Sequence, residues 1–134
     1  MDGEKTEKTE KEATLTEAEH ASLVSRFGSA WHVFERDGRR WVLKKPSRPQ
    51  WQAYKCDANS ADPTTKADAK VALARMTLVP FDPSGSVEAE RAAFDALAED
   101  CPAMADEFGE VAWALGFGPL AVREVKPPPS SPRA

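Results

Sequence analysis

The dipeptide Asp37-Gly38, in the middle of WHVFERDGRRWVLKK, constrains this chain more than any other feature. A two-residue type I′ turn needs positive φ at both central positions, and Asp-Gly between alternating residues supplies it. Placing the turn fixes the register. Glu35 falls opposite Arg40, Phe34 opposite Trp41, Val33 opposite Val42 and His32 opposite Leu43. Phe34, Trp41, His32 and Leu43 then share a face apolar enough to bury. The other face carries Val33 and Val42 beside the oppositely charged Glu35 and Arg40, and is predicted to be half-solvated. A lone hairpin is marginal in water, so helices must cover the aromatic face.

Helical signals flank the hairpin. Thr16 and Glu19 form a capping box for a helix over 17–27, with Leu15 stapling its first turn. His20, Leu23, Val24 and Phe27 make its apolar stripe, and Gly28 ends it. After the hairpin, Ser47 and Gln50 cap a second helix with Pro49 in its first turn and Trp51, Tyr54 and Ala58 on one side. Asp62-Pro63 starts a third, predicted to run unbroken to about Leu78, where Pro80 stops it. The segment 80–85 reads as a loop. Ser86 caps a fourth helix with Val87, Phe94 and Leu97 inward. A fifth follows Cys101-Pro102, with Met104, Phe108, Val111 and Leu115 as its stripe and Gly116-Phe117-Gly118 as its stop. The expected fold class is α+β: one β-hairpin packed among four or five α-helices.

Composition bounds the rest. The run EKTEKTEKE has no apolar residue with which to offset its ordering entropy, and KPPPSSPRA is Pro-rich and extended. The expected organisation is a disordered charged tail over 1–13, a single domain over 14–122 and a Pro-rich tail over 123–134. No apolar stretch indicates a leader peptide or a membrane span, so a cytoplasmic protein without membrane partners is expected. The formal net charge of −4 argues against binding nucleic acid through its phosphates. Arg36, Arg39, Arg40, Lys44, Lys45 and Arg48 are a local exception, but they alternate across the hairpin instead of forming one stripe.

No catalytic constellation can be assembled. His20 and His32 both fall on apolar faces and read as core or boundary residues. Cys56 and Cys101 lie far apart without a CxxC or HxxxH partner, so neither zinc nor a disulfide is expected. Asp57-Ala-Asn59 lacks the Gly and closing acid of a calcium loop, and no Gly-rich loop follows a strand to cradle phosphate. No cofactor is expected. What remains is an aromatic surplus. Trp51, Tyr54, Trp113 and Phe117 either fill secondary core faces or form an apolar surface for a partner chain or a second copy of this protein.

In chain order the sequence has LTEAE and a short helix, a hairpin ending in VLKKPSRPQW, a helical middle closing on LVP, and AFDALAEDCPAMADEFGEVAWALGF. That succession, over roughly 15–117, resembles the small tail assembly chaperones of long-tailed bacteriophages and tail-like prophage particles. In the family, a strand ends in a basic-Pro-Thr/Ser-Arg box before a helix with an early aromatic. Lys45-Pro46-Ser47-Arg48 with Trp51 and Tyr54 is similar to it. Leu78-Val79-Pro80 and Phe94-Asp-Ala-Leu97…Cys101-Pro102-Ala-Met104 resemble its later elements. The charged N-terminal extension and Pro-rich C-terminus depart from the pattern. The resemblance implies a protein that catalyses nothing, binds the apolar tape measure protein, recruits tail tube protein and leaves before the particle matures. Trp51, Tyr54, Trp113 and Phe117 are then expected on the client or self-association surface. An adaptor or structural module of such a particle is the alternative, and a small nucleic-acid-binding protein a more distant one.

Overall fold

The computed structural model describes residues 11–12 and 15–118. Most of the two predicted tails, and residues 14 and 119–122 of the predicted 14–122 domain, lie outside the described residues. The fold is α+β. Its elements are β1 (Lys11–Glu12), α1 (Glu17–Phe27), β2 (Trp31–Arg36), β3 (Arg39–Lys44), α2 (Arg48–Ala58), α3 (Pro63–Ala67), α4 (Ala69–Thr77), β4 (Leu78–Val79), α5 (Val87–Asp100) and α6 (Pro102–Leu115). The antiparallel sheet has the order β1-β2-β3-β4.

The turn sits at Asp37 (φ 53°) and Gly38 (φ 77°), and the hairpin pairs in the expected register, from Trp31 with Lys44 to Arg36 with Arg39. Both capping boxes are closed. Thr16 Oγ1 accepts from the Glu19 backbone N–H and Ser47 Oγ from that of Gln50. The Glu19 and Gln50 side chains accept in return from the cap N–H groups. These reciprocal bonds satisfy donors that a helix N-terminus otherwise leaves without partners.

Several expectations are corrected. Lys11 and Glu12, assigned to the charged tail, pair with Glu35 and Phe34. The pairing needs only the backbone groups that the β2 edge offers. Asp68 (φ −95°, ψ 9°) divides the third helix, although its N–H still donates to the Thr64 carbonyl and its carbonyl still accepts from Ala72. The residue expected to end that helix is strand: Leu78, with Val79 after it, pairs with Leu43 and Val42 on the free edge of β3.

The larger correction concerns the hairpin face expected to be half-solvated. Val33 and Val42 are buried with Leu23 and Val79, and Leu15, Phe27, Trp31 and Phe81 pack around them. Helix α1 and the loop after β4 cover this face. The opposite face carries Phe34, Trp41, Leu43 and Leu78 against α4, α5 and α6, where Phe34 stacks on Phe108 at 4.3 Å between ring centroids. The hairpin is thus the middle of three layers, and burial on both faces gives it much of its stability. Val24 and Val87, expected inward, are exposed, as is His20, whose ring edge meets Trp31. A single covering helix buries only a narrow stripe, here centred on Leu23. In α6 the fully buried positions are Ala105, Phe108, Gly109, Ala112 and Leu115. Small residues bring α6 close to α4. A Cβ on Gly109 would stand 2.9 Å from the backbone carbon of Lys70.

Candidate functional site

The chain brings Trp51, Tyr54, Trp113 and Phe117 together. Trp51 and Tyr54 lie one turn apart on α2, so the helical repeat places them side by side, 5.1 Å between ring centroids. Trp113 is on the last turn of α6 and Phe117 just beyond it. Phe117 closes the group, edge-on to Trp51 at 5.9 Å and to Trp113 at 4.8 Å. Trp51, Tyr54 and Trp113 are half-buried and pack against the main core, whereas Phe117 is 61% exposed. Three rings therefore anchor α2 to the body of the fold and present their outer faces with Phe117.

Two residues that sequence reading did not assign to the cluster shape it. Gly116 lies directly under the Trp51 ring. A Cβ there would overlap the ring, with Cε3 at 2.7 Å and Cη2 at 2.8 Å. Gly116 has ordinary helical angles (φ −62°, ψ −21°), so close approach of the indole, not backbone conformation, calls for a glycine. Read along the chain, it looks only like a helix stop. Lys70 Nζ sits 4.6 Å above the Trp113 ring and pairs with both Glu110 carboxylate oxygens at 3.1 and 3.2 Å. No local spacing signals this contact, because Lys70 and Trp113 come from different helices. A groove continues from Tyr54 between Ala58, Ala67 and Lys70 on one side and Asp106 and Glu110 on the other.

The basic residues of the hairpin are distributed among partners. Arg39 reaches Glu90 at 3.1 Å and lies over Trp41. Arg40 reaches Glu19 at 2.9 Å and lies over Phe81. Arg36 donates to Cys101 Sγ at 3.2 Å. Burial pushes the Lys44 ammonium below its usual lysine range. His32 is half-buried, edge-on to Phe34 at 4.7 Å. Cys56 and Cys101 are free thiols, the first exposed. Among the described residues, no three His, Cys, Asp or Glu side chains are grouped to hold a metal ion, and no helix is long and apolar enough to cross a membrane.

An aromatic group of this kind offers apolar surface edged with charge. Covering Phe117 alone would remove on the order of 100 Å² from water, worth about 2–3 kcal/mol before any cost of association. No family model matches the sequence, and no curated protein or solved structure matches it either.

Proposed function

We propose that this domain is a non-enzymatic binding module of the tail assembly chaperone type, holding a tape measure protein soluble and helping to recruit tail tube subunits. The observation that carries this reading is the convergence of Trp51, Tyr54, Trp113 and Phe117 on one face, with Phe117 largely in solvent. Exposed aromatic clusters mark interaction sites, and an amphipathic helix docks through rows of apolar side chains on such a surface. The groove that Tyr54 shares with Lys70, Asp106 and Glu110 adjoins the aromatic face. The order of sequence elements from LTEAE to WALGF supplies the choice of client.

Co-expression with an amphipathic tape measure protein, followed by a solubility assay and pull-down, tests the proposal. Soluble client should be recovered with the parent chain and be absent with empty vector. Phe117→Ser should weaken capture about tenfold or more while leaving the fold intact, because most of the Phe117 ring lies in solvent and none of the fully buried core is removed. Trp51→Ser is a poor probe, since that ring also belongs to the core. An insoluble client, or equal capture by a folded Phe117→Ser protein, would overturn the reading. Stable incorporation into finished particles would instead identify an adaptor or structural subunit.

A further inference from the structure

We infer that Lys70 is a displaceable cover on the aromatic face. Its ammonium, held by Glu110, occupies one face of Trp113, and an apolar helix docking on the rings gains that face only by moving the ammonium into water. The inference rests on the docking role proposed for Trp51, Tyr54, Trp113 and Phe117. It names the residue that sets how much of the surface a partner can use.

The packing of α4 on α6 aims the side chain. A Cβ on Gly109 would stand 2.9 Å from the Lys70 backbone carbon, 3.0 Å from its carbonyl oxygen and 3.1 Å from its Cβ, so the Lys70 side chain starts in contact with α6. Glu110 is the next residue of that helix, and Trp113 lies one turn beyond it on the same side. Lys70 Nζ donates to both Glu110 carboxylate oxygens, at 3.1 and 3.2 Å, and lies 4.6 Å from the centroid of the Trp113 ring. One ammonium is thus held by an opposite charge and by the negative face of a ring.

Burial is what this arrangement lacks. The Lys70 and Glu110 side chains are 36% and 63% exposed. An exposed ion pair and an exposed cation–ring contact are both weak in water, and together are worth about tenfold at most in an equilibrium constant. The arginine contacts of the same kind are built differently. Arg39 lies over Trp41 while pairing with Glu90, whose side chain is 13% exposed, and Arg26 lies over Phe27 while donating to the carbonyls of Pro80 and Phe81. Those planar forks tie elements of the fold together. A lysine is a flexible stem carrying a strongly hydrated charge, which returns to water at little cost. Glu110 is already mostly in solvent, so its release strands no buried charge. The face that is cleared adjoins Phe117, which itself meets Trp51.

The test uses the full chain, NMR of isotope-labelled lysine, and Nile red as an uncharged apolar probe. The ring current of Trp113 should shift the Lys70 Cε protons upfield, and Trp113→Leu should abolish the shift. Saturating the protein with Nile red should return the Lys70 signals toward those of the exposed Lys55. Lys70→Gln, which removes the charge without adding an apolar side chain, should bind the dye about three- to tenfold tighter. The inference is overturned if Trp113 imposes no shift on Lys70, or if Lys70→Gln binds no more tightly than the parent. Dye that saturates the protein while the Lys70 signals stay in place overturns the cover alone and leaves the docking surface standing. Dye that binds neither protein removes the docking surface, and the cover with it.

Discussion

Gly116→Ala puts the geometry of the aromatic cluster to a direct test. On backbone grounds the substitution should stabilise. Gly116 has helical angles, and alanine is preferred over glycine in a helix by up to about 1 kcal/mol. Packing opposes it. The new methyl would lie within 2.8 Å of Trp51 Cη2 and closer still to other ring atoms, where ordinary carbon contacts begin near 3.5 Å. The ring cannot swing away freely, because Tyr54 and Phe117 hold its edges. Overpacking of this kind costs about 1–3 kcal/mol. The net expectation is a loss of about 1 kcal/mol, or roughly 4–8 °C in Tm for a domain this size, measured by urea titration and thermal melts. The decisive comparison repeats the substitution in a Trp51→Ala background. With the indole gone, Gly116→Ala should change sign and stabilise by up to about 1 kcal/mol. If it stabilises equally in both backgrounds, Trp51 does not sit on Gly116 and the described arrangement of the cluster is wrong.

Two further outcomes follow from other parts of the molecule. Arg26 donates from its two terminal nitrogens to the carbonyls of Pro80 and Phe81 at 2.6 and 2.8 Å, fixing the loop after β4 against α1. Arg26→Ala should cost about 1.5–3 kcal/mol and speed amide exchange over 80–85. Arg26→Lys should recover less than half, since one ammonium cannot reproduce the fork. Hydrogen bonds hold four carboxyls below their usual ranges: from the Thr16 backbone N–H and Arg40 at Glu19, from the Thr65 hydroxyl and backbone N–H at Asp62, from the Ser84 backbone N–H and hydroxyl at Asp82, and from Arg75 at Asp95. Their folded-state pKa values lie below the unfolded ones, so their contribution is present above about pH 4.5 and is lost as the pH falls through the folded values. The urea midpoint should therefore drop between pH 5 and pH 3 and drop less in Asp95→Asn. A flat profile would refute the assignment.

Local chemistry made part of this fold legible. The Asp-Gly turn determined the whole hairpin register, and the two capping boxes located the starts of α1 and α2, because each rests on residues within three or four positions of one another. The aromatic quartet was singled out as a surplus over core need, and its members meet. What stayed hidden depends on distant partners. Val33 and Val42 looked half-solvated because alternation cannot reveal that α1 folds back across them. Leu78 carries the helical stripe forward in sequence, and only the free edge of β3 makes it strand, with Val79 after it. In α6, reading the large residues placed the buried stripe one position away from Ala105 and Ala112, which do the packing because they are small. Gly116 and Lys70 shape the site through contacts with no sequence period at all.

The passage from α4 to β4 has no connecting loop. Thr77 is fully buried and its hydroxyl lies 3.1 Å from the carbonyls of both Leu73 and Ala74. Gln50 and Arg91 donate to the carbonyl of Met76, and Arg91 also donates to that of Arg75. Leu78 then enters the sheet at once. One residue inserted at this joint would rotate everything on its helical side by about 100° relative to the sheet, or send Leu78 and Val79 to opposite faces. The joint thus behaves as a phase lock between two periodicities, and length variation in relatives of this chain should be confined to stretches such as 59–62 and 82–86, where no such phase has to be kept.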